Sequence, residues 1–336
     1  MQLKLKESIY ILKESSDIYQ VIFTGTRNIK RFIVDNLVKD VIDYLNISRE
    51  ESAIIDNFKD KYPISNINSC LISLQYQGII RKIEKENLNN RFSKQILFLD
   101  ELTGSREESL KLQEKIQNST ITVFGVGGIG TWIVNGLYQI GVGKIRITDP
   151  DIIEESNLNR QLFFDSRDVG KYKVNVIKRK LNDAKIVAFK KTVSESENLE
   201  ELVKDADFLV NCADNPSIAE TSRIIDKYSN KFNVPYCIAG GYNLHLGMIG
   251  PIIIPGKTAT FEDFLRFQKE SDPLKNFEKI KDIEDTGNLG PIAGAIANIQ
   301  VMEIFKYLIK KGNINLNKFA EIDFLNFNIE WRNFKK

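Results

Sequence analysis

Histidine is nearly missing from this chain, with His245 the only one in 336 residues. That excludes zinc sites built on two histidines and any relay that needs a second imidazole. Cysteine is scarce as well. Cys70, Cys212 and Cys237 make no CxxC pair and no even framework, which points to a reducing compartment, the cytoplasm. Neither sign of charge is in excess: against 45 acidic residues stand 47 lysines and arginines, so no bulk field favours nucleic acid or a membrane surface. The opening MQLKLKESIY has no signal-peptide core, and no apolar run is expected to reach the ~20 residues that cross a bilayer. With 42% hydrophobic and 27% charged residues the composition is that of an ordinary globular protein, long enough for two domains.

What the chain does hold is a glycine-rich turn between two strand-like runs, over residues 121–151. Ile121, Val123 and Phe124 form a short β-branched and aromatic run that stops at Gly125, as a buried strand does. Gly125, Gly127, Gly128 and Gly130 let the backbone turn sharply and leave room for phosphates against a helix N-terminus. A helical pattern over 130–140 ends at Gly141 to Gly143, and a strand over 144–148 then delivers Asp149, placed for a ribose hydroxyl. Up to that point a nicotinamide-dependent dehydrogenase would read the same.

Beyond Asp149 the chain reads DPDIIEESNLNRQLFFDSRDVGKYK. Arg160 and Lys173 are separated by a loop and a helix start, so both are placed to reach one triphosphate, with Asn157 and Gln161 as neutral partners. Hydride transfer has no use for such a cluster. Farther on, Phe208, Leu209 and Val210 run into Asp214, at the C-terminal edge of a central parallel strand, where open α/β sheets bind ligands. A carboxylate there suits Mg²⁺, which takes one or two carboxylates plus phosphate oxygens and water. It equally suits a helix cap before Pro216, and the two roles are compatible.

Residues 1–87 read as a separate module. Strand-like runs at 8–12, 19–24 and 29–34 predict a three-stranded ribbon, followed by helices starting at Asp35 or Asn36, at Ser48, and over 67–77. This order resembles a winged helix. The third helix, NINSCLISLQYQG, carries no lysine or arginine, so the pattern favours a peptide clamp with strand addition over a DNA-binding domain. Residues 85–90 form a polar linker. His245 lies in a strand alternation and reads as packed or solvent-facing, not catalytic. Residues 257–290, charged and short of secondary-structure signal, read as a lid or binding segment. After it, a helix with Ile292, Ile296, Ile299 and Ile304 on one side and a strand-like alternation over 319–331 close the chain.

Taken in order, GVGGIG, DPD, SNLNRQ, Lys173, CADN at 212–215 and NLGPIAGAIAN at 288–298 resemble the ThiF/MoeB/HesA adenylating family, related to ubiquitin-activating enzymes, over about residues 90–336. Within it, NRFSKQ, DNPS after CA, and GPIIIPGKTATFEDF look nearest to the branch that nucleotidylates a short ribosomal peptide, a branch with an N-terminal clamp. The resemblance implies ATP held by Gly125, Gly127, Gly128 and Gly130, by Asp149 and Asp151, and by Asn157, Arg160, Gln161, Lys173 and Asn215, with Asp214 carrying Mg²⁺. It implies homodimers in which a basic residue reaches the partner's ATP. Lys94 stands where the family has arginine, and Arg91 is the alternative. Relatives with structural zinc carry two CxxC pairs, the first at positions that here are Thr260 and Asp263, so zinc is not expected. Thioester-forming relatives use a cysteine in the crossover segment; 257–290 has none, so the activated carboxylate is not expected to pass to an enzyme thiol.

The fold class expected is therefore α/β: a Rossmann-like adenylation domain on a mostly parallel sheet over 88–336, with crossover loop 257–290, preceded by a winged-helix-like α+β peptide clamp over 1–87. The function expected is ATP-dependent, pyrophosphate-releasing adenylation of the C-terminal carboxylate of a short ribosomal peptide, in making a nucleotide–peptide antibiotic. Arg160, Lys173, Asp214 and Lys94 form the expected catalytic set. Activation of a sulfur-carrier protein and a catalytically silent leader-peptide scaffold are the alternatives. The partners expected are peptide and a second copy of the chain, without nucleic acid or membrane.

Overall fold

The expected ribbon is present in the computed structural model, which describes residues 2–83, 91–273, 275–277, 280–281 and 287–334. The linker read at 85–90 lies outside the described residues. The chain divides into two units, Met1–Glu114 and Lys115–Lys336.

In the first unit, β1 (Gln2–Leu5) precedes the antiparallel ribbon β2 (Ile9–Lys13), β3 (Ile18–Phe23) and β4 (Asn28–Ile33), in which β3 is central and both neighbours are edges. Asp35 caps α1 (Asn36–Tyr44) by accepting the Val38 N–H at 2.8 Å, and Leu37, Val41 and Ile42 recur at helical spacing on its buried side. The next helix begins three residues later than Ser48 suggested. β5 (Arg49–Glu50) pairs with β1 first, and only then does α2 (Glu51–Phe58) start. α3 (Ile64–Tyr76) opens directly after Pro63, and β6 (Ile80–Ile83) completes a second sheet in the order β5-β1-β6. α4 (Ser93–Thr103) leads to α5 (Arg106–Asn118). Within this unit the buried Asp100 of α4 receives both Arg81 (2.7 Å) and Arg106 (2.6 Å), forming an ion triad.

In the second unit, β7 (Thr120–Phe124), α6 (Gly128–Ile140), β8 (Lys144–Thr148), α7 (Lys173–Lys180) and β9 (Lys185–Phe189) form two successive βαβ units with parallel strands. α8 (Glu200–Val203), β10 (Phe208–Asn211), α9 (Ile218–Phe232) and β11 (Tyr236–Ile238) continue the sheet on the other side of β7. Its order is β14-β11-β10-β7-β8-β9, parallel except at the edge strand β14. The connection therefore reverses direction between β7 and β10, which opens a crevice at their C-terminal ends.

The run 234–255 serves two sheets. β12 (Tyr242–Asn243) and β13 (Leu246–Ile249) belong to a smaller antiparallel sheet, whereas β14 (Ile252–Ile253) returns to β11. Gly240 permits the crossing, since a Cβ there would stand 1.5 Å from the Met248 carbonyl oxygen. The segment 257–290 is not devoid of regular structure. It contains α10 (Phe261–Ser271), started by a capping box in which Thr260 accepts the Asp263 N–H and Asp263 accepts the Thr260 N–H, with Phe261 and Phe264 buried. α11 (Gly290–Ile309) follows, and β15 (Lys318–Asp323) and β16 (Asn328–Asn333) complete the order β12-β13-β15-β16.

α11 is the helix expected from Ile292, Ile296, Ile299 and Ile304, but its apolar run is longer than expected. Among the described residues it is long and apolar enough, by length and composition, to cross a membrane. Its environment is that of a core helix. Ile296, Ala297 and Ile304 are fully buried, Val301 presses on Gly136 of α6, and Trp132 of α6 covers Gly294.

Candidate active site

Three strand ends converge on one turn. Gly125 donates its N–H to the Thr148 carbonyl (2.8 Å), and Cys212 donates to the Phe124 carbonyl (2.7 Å), so the ends of β8, β7 and β10 are stitched together. Gly125 has φ +81°, and a Cβ on it would lie 2.7 Å from the Cys212 carbonyl group. Only glycine fits there. Gly127 stands at the N-cap of α6 without a side-chain cap, so the first-turn N–H groups face outward with no side chain competing for them. A Cβ on Gly127 would meet only Gln161, at 4.0 Å, which leaves that space for a ligand.

These ends open into a cavity of about 720 Å³, within the range of nucleotide-sized sites. Its lining brings together Gly125, Gly127, Gly128, Gly130, Asp149, Asp151, Asn157, Arg160, Gln161, Lys173, Asp214 and Asn215. Every residue that the sequence assigned to nucleotide or metal within the Rossmann unit is in that lining.

Their local duties differ. Asp149 is 5% exposed, and its two oxygens accept the N–H groups of Val126 (2.8 Å) and Asp151 (2.9 Å). Burial pushes its carboxyl upward, and the nearby Lys173 ammonium and the two N–H donors oppose that rise. Lys173, at the start of α7, places Nζ 2.8 Å from Asp151 and 3.9 Å from Asp149. Its charge is balanced by these two carboxylates. Asn157 shapes the loop, its side chain accepting the Glu154 N–H and its carbonyl accepting from Arg160 and Gln161. Arg160 folds back on the Ser156 carbonyl and on Asn159. α11 packs against the same turn: a Cβ on Gly290 would lie 2.6 Å from the Asn159 carbonyl oxygen. Gln161 is 4% exposed, and its Oε1 has no partner among the described residues. A buried amide oxygen left without a donor in a cavity wall is open to a donor from a ligand or from water.

Asp214 is exposed and takes no hydrogen bond from the described residues, so the helix-cap reading of this carboxylate does not hold. Ser217 caps α9 instead, accepting the Glu220 N–H at 3.2 Å, and Pro216 precedes the helix across a cis peptide bond. Asn211 sets the loop: it accepts the Ala213 N–H (3.0 Å) and donates to Thr221 and Ser222 on α9. Cys212, beneath it, has its thiol pushed far up by burial and by the Asp214 charge, and is no nucleophile. Among the described residues no three His, Cys, Asp or Glu side chains are grouped to hold a metal, so a cation here would rest on Asp214 and on oxygens from elsewhere. That donor set fits Mg²⁺.

Sequence reasoning missed Asn211, Tyr242 and Asn288. Asn211 was visible as the residue before CADN, whereas Tyr242 and Asn288 reach the cavity only through the folding of β12 and the start of α11. His245 sits in the β12–β13 turn with Nε2 4.0 Å from Asp323, outside the cavity. Lys94 is exposed in the first turn of α4, and Arg91 lies over the Phe92 ring at 5.5 Å; both belong to the first unit.

A parallel sheet with a reversal point, an uncapped helix N-terminus and a lysine, arginine and carboxylate around it define a Rossmann-type site for a nucleoside triphosphate. The model of the ThiF family matches residues 80–336, and the chain belongs to that family. It is 30% identical over 210 residues to the adenylyltransferase and sulfurtransferase UBA4 of Scheffersomyces stipitis, covering 60% of this chain and 44% of that protein. The chain spans less than half the length of the first two curated relatives it matches, 44% and 26%. Among solved structures it is similar to the microcin C7 biosynthetic enzyme MccB in complex with N-formylated MccA. That likeness is 25% identical with a TM-score of 0.75, over 100% of this chain and 98% of that one. It is also similar to E. coli MccB with ATP, 24% identical with a TM-score of 0.74, over 100% and 98% of the two chains.

Proposed function

We propose that this protein adenylates the C-terminal carboxylate of a short ribosomal peptide with ATP and releases pyrophosphate, in the biosynthesis of a nucleotide–peptide antibiotic. The observation that carries the reading is a triphosphate-sized cradle of the ThiF type in a chain that matches the peptide-bound MccB over its whole length, N-terminal unit included.

In this reaction a carboxylate oxygen attacks the α-phosphorus, the bond to the bridging oxygen of the β-phosphate breaks, and no proton need move. The work is electrostatic. Gly125, Gly127, Gly128 and Gly130 let phosphate approach the N–H groups of α6, with Asp149 on the ribose and Asp151, Asn157, Gln161 and Asn215 around it. Arg160 and Lys173 hold the phosphates once Lys173 leaves its carboxylates. Asp214 would hold Mg²⁺, which offsets charge on the phosphates when bound. In a homodimer Lys94, or Arg91, reaches the partner's nucleotide. Residues 1–87 clamp the peptide by strand addition, residues 88–336 form the adenylation domain, and 257–290 form the crossover segment. The protein acts in the cytoplasm, without zinc, nucleic acid or membrane as partner.

One assay tests this: pyrophosphate release from ATP with synthetic peptides ending in a free asparagine carboxylate (MccA among them), with a sulfur-carrier protein ending in Gly-Gly, and with neither. Release with peptide alone supports the reading. Release with the carrier protein alone transfers the assignment to the activity that the UBA4 name describes, and release with neither leaves the scaffold.

A further inference from the structure

We propose that the Tyr242 hydroxyl holds the peptide's terminal carboxylate beside the phosphate loop, donating a hydrogen bond to the oxygen that does not attack. The assignment rests on the peptide-adenylating reading and deepens it by naming the residue that selects a free carboxylate.

Tyr242 stands where two spaces meet. It lines the nucleotide cavity, and it also lines a second groove of about 550 Å³ on the open face of the β12-β13-β15-β16 sheet. Gly241, Tyr242 and Met248 are common to both. The two spaces therefore adjoin at the start of β12, where the Tyr242 ring packs with Ile249, Ile292 and Ile296 on the α11 side of the sheet. Its Oη lies 3.1 Å from where a Cβ of Gly128 would stand, directly over the first turn of α6. A hydroxyl above that turn is within reach of a group attacking phosphorus there.

That hydroxyl is half-buried and makes no hydrogen bond with any described residue. A phenol in such a place usually has a partner, and its lone donor faces the cavity. Burial raises its pKa above the ordinary value; the Asp214 charge acts the same way and the Arg160 guanidinium against it. The group therefore stays protonated near neutrality, as a donor must. A neutral donor suits a carboxylate that has to remain nucleophilic, because it orients one oxygen and leaves the charge free on the other. Asp214 nearby would repel the same carboxylate unless its charge is matched by the cation it holds, so the phenol works on the side where no cation is needed.

Tyr242→Phe keeps the ring and removes only the donor. The measurement is peptide-dependent ATP–pyrophosphate exchange with free-acid peptides ending in asparagine, MccA among them. The C-terminal carboxamide forms of the same peptides serve as competitive inhibitors, and ATP binding is followed in parallel. We expect kcat/KM for the free acid to fall about tenfold or more, since a hydrogen bond to a charged group is lost. ATP affinity and carboxamide inhibition should stay at wild-type values, which also reports an intact fold. Exchange by Tyr242→Phe equal to wild type overturns the assignment. So does an equal loss for acid and carboxamide, which would mean that the hydroxyl does not select the carboxylate over its amide. Wild-type protein that exchanges pyrophosphate with none of the peptides overturns the function itself, and this assignment with it.

Discussion

At the scale of single residues, the two acids at the strand ends have opposite circumstances. Asp149 is buried and already accepts two backbone N–H groups, so it supports the turn whether or not nucleotide is bound. Asp214 is exposed and supports nothing in the described chain. A carboxylate at a sheet's C-terminal edge without structural work is free to serve a ligand, as the proposed function requires. Replacing Asp214 by Asn should therefore leave thermal stability unchanged while lowering pyrophosphate release at millimolar Mg²⁺ by roughly a hundredfold or more. The paired measurement is a melting curve and a turnover assay. A variant with near-normal turnover removes Asp214 from the mechanism; one that melts early shows a structural role absent from this geometry. The sequence showed the position of Asp214, but could not separate cap from ligand. That distinction depends on Ser217, three residues on, taking the cap.

At the scale of elements, the first βαβ unit was legible because each piece carries its own local signal: β-branched strand, glycine turn, apolar helix, Gly141 at the αL position (φ +88°). The smaller sheet was not. β12 has two residues, and the strands of the sheet lie on both sides of the 257–290 segment, so pairing and not pattern defines it. α10 was missed because its apolar face is only Phe261, Phe264 and neighbours on an otherwise charged stretch. Its start, however, has the Thr-Phe-Glu-Asp signature of a capping box. Thr260 and Asp263 are the positions where zinc-binding relatives carry their first cysteine pair, and here the same two side chains fasten a helix by hydrogen bonds. Thr260→Ala should cost about 1 kcal/mol of stability, read by urea or thermal unfolding. Treatment with a strong chelator followed by Mg²⁺ replenishment should change neither stability nor activity, and elemental analysis should find no stoichiometric zinc. One zinc per chain would overturn this account of the segment.

At the scale of the whole molecule, the proposed reaction needs both a site for carboxylate activation and a surface that takes up an extended peptide. In the ribbon, β4 is an open edge, its residues almost all exposed, with Ile29 61% and Ile33 87% accessible. Such an edge presents unpaired N–H and C=O groups, the template for strand addition. α3 shows no basic residue, and Ile72 and Tyr76 are exposed at 65% and 87%, a surface that offers phosphates little. If β4 captures peptide through main-chain hydrogen bonds, the affinity lies in the peptide's backbone and should be sensitive to its amides. A strand contacts its neighbour with every second N–H. N-methylation scanned along the peptide should therefore raise KM at alternate residues, by about fivefold to tenfold for each lost bond, and leave the intervening residues nearly untouched. KM for ATP should not move at any position, because the nucleotide cradle is built by another unit. The same scan near the carboxylate should lower kcat as well, since there the amides lie by the groove that leads to Tyr242. A flat N-methyl profile would mean that side chains alone are read. Tighter binding of duplex DNA than of peptide at physiological salt would return the first unit to the winged-helix reading.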